Sequence, residues 1–191
     1  MFKILTLGMI ILIFPGCSNN LSRGKAEDLI VKKYNVPSIE TIKIRKVYLR
    51  GETMYSINQG DERILNDLKS KGLITIVEDN EVTNNGFNRY THWTKMNVVL
   101  TLEGKKYFIS EHSEQLESGT IINVYEVKTC DISFGEISGI QEQEQLNVAE
   151  VSYNLVRKNI TPIGMSYNIT EGIIEKKDVF TKYDDGWRFY N

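Results

Sequence analysis

The sequence predicts an α+β protein, with helices in its first half and an antiparallel β-sheet in its second. Three observations carry that expectation. Two early segments repeat apolar residues at three-and-four spacing, and the later half alternates apolar with polar residues. Tight-turn residues such as Asp184-Asp185-Gly186 join the alternating runs.

The first helix is expected over residues 25–34, where Ala26, Leu29, Ile30, Lys33 and Tyr34 share one face. Asn35-Val36-Pro37 stops it. Residues 41–49, rich in Ile, Val and Tyr between Lys and Arg, read as a strand ending at a turn, Arg50-Gly51-Glu52. In the second helix Asp61 is placed to cap, Ile64, Leu65 and Leu68 form the stripe, and Gly72 suits the left-handed stop. A strand over 73–77 is followed by a polar connection, 79–88, with a tight turn at Asn85-Gly86. The strand expected to return from it, 90–102, sets Met96, Val98, Leu100 and Leu102 on one face. Residues 103–108 read as a short turn or helix.

Strands are expected next over 120–132 and 148–157, the second with Ala149, Val151, Tyr153 and Leu155 on one side. Residues 141–145 read as a polar connection. Residues 173–183 and 187–190 form a closing hairpin, with Trp187 and Phe189 on one face and Gly186 in the turn.

The N-terminus carries a different signal. Lys3 precedes an apolar run, 4–14, too short to span a bilayer, which needs about 20 apolar residues. The run ends in Phe14-Pro15-Gly16-Cys17-Ser18, which resembles the bacterial lipobox, a small residue before an obligatory cysteine. Phe14 and Pro15 stand where leucine and a small residue are usual. The resemblance implies cleavage between Gly16 and Cys17 and diacylglycerol on the Cys17 thiol. Each buried methylene contributes about 0.8 kcal/mol, so two or three acyl chains hold firmly. Ser18 stands where aspartate would retain a lipoprotein in the inner membrane. The expected address is therefore a cell membrane, facing the periplasm or exterior, and the outer membrane in a Gram-negative cell.

Removing 16 of the 191 residues leaves 175, with 22 Lys and Arg against 25 Asp and Glu, a net charge of −3 because only Lys3 is lost. That balance gives no electrostatic case for nucleic acid or anionic lipid. With Cys17 lipidated, Cys130 has no partner for an internal disulfide and reads as a small buried hydrophobe. The organisation expected is a signal peptide over 1–16, a tether over 17–24, a helix-containing region over 25–110 and a β region over 119–191.

Residues 64–74, ending in Gly72-Leu73-Ile74, a polar hairpin, and then Leu100-Thr101-Leu102-Glu103-Gly104-Lys105 resemble the later part of a winged-helix domain. The resemblance implies a winged-helix-like fold over roughly 25–108. Such domains often set a helix in the DNA major groove. Here that helix is neutral, Asp61, Glu62 and Asp67 against Arg63, Lys69 and Lys71, and export would remove the DNA.

Chemistry-bearing constellations are sparse. A metal or catalytic reading would bring His92, expected in a strand, and His112, expected in a loop, together with Glu111 or Glu114, yet their spacing matches no zinc motif, which needs roughly four ligands. Ser110, Ser113 and Ser118 cluster near His112 without a nucleophile-elbow pattern. No cofactor or metal is expected, and no catalytic residue is assigned. Trp93, Tyr90, Tyr107, Phe108, Tyr153, Tyr167, Phe180, Tyr183, Trp187, Phe189 and Tyr190 could line a carbohydrate or peptide surface, and core packing against the sheet is expected to account for most of them. The leading expectation is a non-enzymatic envelope lipoprotein that binds a protein or a cell-wall component. One alternative is a periplasmic inhibitor or immunity protein against a toxin or hydrolase. Another is a hydrolase using His112 with Glu111 or Glu114.

Overall fold

A computed structural model describes residues 20–51, 57–84 and 90–190, with side chains defined in these spans except at 81–84 and 90–93. In chain order the elements are α1 (Arg23–Tyr34), β1 (Ser38–Arg45), β2 (Val47–Gly51), α2 (Gln59–Ser70), β3 (Ile74–Asn84) and β4 (Tyr90–Leu100). They continue as β5 (Phe108–Gln115), β6 (Ile121–Gln143), β7 (Val148–Lys158), α3 (Pro162–Ser166), β8 (Gly172–Tyr183) and β9 (Gly186–Phe189).

Helix α1 forms because Ser22 caps it, its side chain accepting from Lys25 N, while Ala26 and Ile30 bury one face and Asn35 ends it in the left-handed region at φ 50°. In α2 the cap is Asn58 rather than Asp61. The Asn58 side chain accepts from Asp61 N at 2.9 Å, and Asp61 with Glu62 sits in the first turn where the helix dipole favours anions. Gly72 takes φ 69° after the last turn, as expected of a stop glycine.

Strand β6 organises the molecule. One edge pairs with β1, and the other pairs first with β5 and then with β7, which continues to β8 and β9 in a six-stranded antiparallel sheet. Strands β2, β4 and β3 make a second, three-stranded sheet. Lys46 joins the two: its N–H donates to Asn123 O at 2.9 Å, and its carbonyl accepts from Val98 N at 2.8 Å. The single strand expected over 41–49 is thus two strands that change sheets at this residue.

The register keeps one face of β6 apolar through a bulge. Ser38, Glu40, Ile42 and Ile44 of β1 alternate onto one face and pair with Ile132, Cys130, Val127 and Tyr125; the register shift between Glu40 and Thr41 absorbs the extra residue on β6. Two apolar clusters lie along the molecule. The first holds Leu21, Ala26, Ile30, Cys130, Tyr153, Phe180 and Trp187. The second holds Ile44, Tyr48, Leu65, Leu68, Met96, Val98, Tyr125 and Ile163.

The expected winged-helix-like, helix-containing N-terminal half followed by a separate β-sheet half is corrected by this arrangement. The protein is mostly strand. Helix α1 does not pack on α2; it packs on β6, and its buried residues join the cluster with β6, β7, β8 and β9. Strand β1, from the first expected region, hydrogen-bonds to β6 in the second, and β5 crosses the boundary expected at residue 110 to pair with β6 as well. The motif behind the resemblance has a local cause instead. Thr101 Oγ1 donates to Gly72 O at 2.6 Å and accepts from Gly104 N at 3.1 Å, so it bolts the end of α2 to the end of β4.

Other expectations shift at their edges. Strand β3 runs on to Asn84, and the Asn85-Gly86 turn lies outside the described residues. Leu102 is 87% exposed, beyond the end of β4. Strand β6 continues through 133–143, taking in part of the expected polar connection. Strand β5 occupies a segment read as holding a loop histidine.

Candidate functional site

Alternation along β5 puts Ser110, His112 and Glu114 on one face and Glu111 on the other. Their cross-strand partners in β6 are Glu126, Val124 and Ile122. His112 Nε2 lies 3.0 Å from Glu114 Oε1, and His112 Nδ1 lies 3.4 Å from Ser110 Oγ. Glu114 also pairs with Lys43 of β1. Ser110 Oγ donates to Glu126 Oε2 at 2.9 Å, and Thr41 Oγ1 donates to Glu126 Oε1 at 2.8 Å. A row of polar groups therefore crosses β1, β6 and β5.

The electrostatics of the row follow from these contacts. The bond to Lys43, and next that to His112, holds the Glu114 carboxyl below its ordinary range. The Thr41 and Ser110 hydroxyls hold Glu126 down in the same way, and Glu114 raises the Lys43 ammonium. An acyl-transfer triad needs the nucleophile's proton aimed at the histidine, with donors for the developing oxyanion. Here the short Ser110 bond goes to Glu126, and the row stands on a half-exposed sheet face outside the pocket described below.

The structure brings His112 to Glu114 and keeps Glu111 apart. Glu111 pairs with Lys46 Nζ at 2.5 Å, beside the Tyr125 ring. His112 is a strand residue, not a loop residue. His92 pairs through its backbone with Val82, and its side chain lies outside the described residues. Gly16 and Cys17 also lie outside them. Cys130 is buried and free, its Sγ 3.5 Å from Glu40 Oε2; burial first, then the Glu40 charge, push its thiol up, away from the reactive thiolate.

A concavity lies elsewhere among the described residues. A pocket of about 600 Å³ opens where the β1–β2 junction, the start of α2 and the β5–β6 hairpin meet. Val47, Leu49, Ile57 and Ile121 supply apolar wall; Arg45, Asp61, Ser118 and Asn123 supply polar groups. Tyr48 forms part of the floor, its hydroxyl accepting from Arg45 N at 3.3 Å, and burial raises the phenol. This mix of apolar wall and a few polar groups is what small-molecule and peptide sites use. Sequence reasoning missed it because no one segment contains it; the nearest signal was Asp61, read as a helix cap.

Among the described residues no group of three or more His, Cys, Asp or Glu side chains is placed to hold a metal ion. No described helix is long and apolar enough to cross a membrane. No protein-family model matches the chain, and neither a curated protein nor a solved structure matches it.

Proposed function

We propose that this chain is an envelope lipoprotein, cut after Gly16 and anchored through lipid on Cys17, whose domain binds another envelope protein or a cell-wall component without catalysing a reaction. The observation that carries the binding role is the pocket between Arg45, Asp61 and the β5–β6 hairpin. Its lining offers a cation, a carboxylate and hydroxyls beside aliphatic walls, which suits a peptide or glycan carrying both polar and apolar groups. The non-enzymatic reading is supported by the Ser110 proton going to Glu126 and by the separation of His112 from the pocket.

A photo-activatable side chain at Thr120, in the pocket wall, tests the binding role in intact cells. Val77, 54% exposed on the outer face of the second sheet, serves as control. A discrete adduct from position 120 and none from 77 is expected. No adduct from 120, or the same adducts from both, would overturn the pocket as the binding site. The anchor is tested separately: Cys17→Ala should abolish incorporation of labelled lipid and release the protein from membranes.

A further inference from the structure

We propose that the end of the domain carrying Leu146 and Tyr183 rests in the interfacial layer of a phospholipid bilayer, which turns the pocket at the other end of β6 away from the membrane. The inference rests on the lipid anchor at Cys17 proposed above. Tether length and tether position carry it.

Leu21 is 3% exposed and packs into the first apolar cluster. Its N–H donates to Glu142 Oε1 at 2.8 Å, and the Arg23 guanidinium donates to the Ile137 carbonyl. The chain is therefore part of the folded domain from Leu21 onward, four residues after Cys17. Four residues reach at most about 14 Å when fully extended. Leu21 itself must lie within that distance of Cys17, so the end of the domain around Leu21 is the end nearest the lipid.

The register identifies the surroundings. Glu142 is the next-to-last residue of β6, and Gln143 pairs with Val148 across the β6–β7 turn. Lys182 N donates to Asn147 O at 2.8 Å, so the β8–β9 turn stands beside it, with Tyr183 paired to Gly186. At about 4.8 Å between strands, Phe180, in line with Ala149 and Glu142, lies roughly 10 Å from Glu142, and Tyr183, three residues further along β8 at ~3.3 Å each, lies roughly 14 Å away. Leu146, 66% exposed, and Tyr183, 51% exposed, are the large apolar side chains of these two turns. A tyrosine with an apolar body and polar tip suits the headgroup boundary, and a leucine beside it gains by leaving water.

Charge does not drive the contact. Glu144, Asp184 and Asp185 are set against Lys182 and Arg188, and Arg188 pairs with Asp185. The partner is thus the interfacial layer of phospholipid in general rather than an anionic headgroup. At the opposite end of β6, Ile121, Ile122 and Asn123 line the pocket. The 23 residues of β6 span at most about 75 Å at ~3.3 Å each, less with curl.

The test uses the full-length lipidated protein with an environment-sensitive fluorophore on an introduced cysteine: Leu146→Cys, Tyr183→Cys or, at the exposed tip of the far hairpin, Glu117→Cys. Each is placed in vesicles of phosphatidylcholine, with or without phosphatidylglycerol, containing a headgroup-nitroxide lipid. Intact mass on the same samples reports the acyl chains. Blue-shifted, quenched emission from 146 and 183 in both vesicle types, with none from 117, is expected. Acylated protein with 146 and 183 unquenched, with 117 quenched as strongly, or with quenching confined to phosphatidylglycerol overturns the orientation and leaves the anchor standing. Absence of acyl mass overturns the anchor and the orientation together.

Discussion

Arg157 grips Glu40 through two hydrogen bonds, Nε to Oε2 at 2.7 Å and Nη2 to Oε1 at 3.0 Å, and so ties β7 to β1 over the top of β6. Cys130 lies in the strand between them and directs its thiol at the same carboxylate. The pair is about one-third exposed on each side, which limits its worth despite the fork geometry. Glu40→Ala should lower stability by about 1 kcal/mol, read as a fall in the urea midpoint without change in slope. An unchanged midpoint would show that solvent screens the pair completely.

The same carboxylate governs Cys130. Because burial and the Glu40 charge both raise its thiol, native protein lacking Cys17 should resist an aromatic disulfide reagent at mildly alkaline pH and react at once in urea. Glu40→Gln removes one of the two causes and should quicken the native reaction. Rapid labelling of the unaltered native thiol would contradict the assigned burial.

The polar row makes a pH prediction with a definite sign. Glu114 and Glu126 have folded-state values below their ordinary 4.5, so their contribution is present above 4.5 and is lost as pH falls through the lower folded values. Lys43 is raised above 10.5, so its contribution is present below 10.5 and is lost as pH climbs through its folded value. Thermal midpoints should therefore be flat at mid-range pH and decline at both ends. Lys43→Met should flatten part of each decline. An identical pH profile for that variant would remove the row from the account.

Gly104 tests the bolt that mimicked a winged-helix motif. A methyl group there would sit 2.0 Å from the Leu73 carbonyl oxygen, a backbone atom that cannot swing aside. Gly104→Ala should cost about 1–3 kcal/mol, typical of overpacking, while Gly24→Ala, with open space around it, should change little. Equal effects from the two substitutions would count against the close approach.

Periodicity by itself determined much of the local structure: α1, α2, the alternation of Ala149, Val151, Tyr153 and Leu155, and the closing hairpin at Gly186. These are short-range patterns, written in neighbours three or four residues apart in a helix and two apart in a strand. Partner choice is not written that way. Nothing local distinguishes an α1 that packs on α2 from one that packs on β6 within the sheet, or tells the 41–49 run to change sheets at Lys46.

The tertiary structure alone decided that β6 would run 23 residues, with β1 and β5 flanking its start and β7 its end. A bulge there lets Val127 and Cys130 share a face that strict alternation would divide. It also decided which polar residues met. His112 found Glu114 because residues two apart in a strand share a face, and lost Glu111 for the same reason. The pocket required Arg45, Asp61 and Asn123 from three separate segments, a meeting made by long-range pairing that no stretch of sequence encodes. The fold-class expectation failed at that level: the local elements were legible, but their partners were set by contacts far apart in the chain.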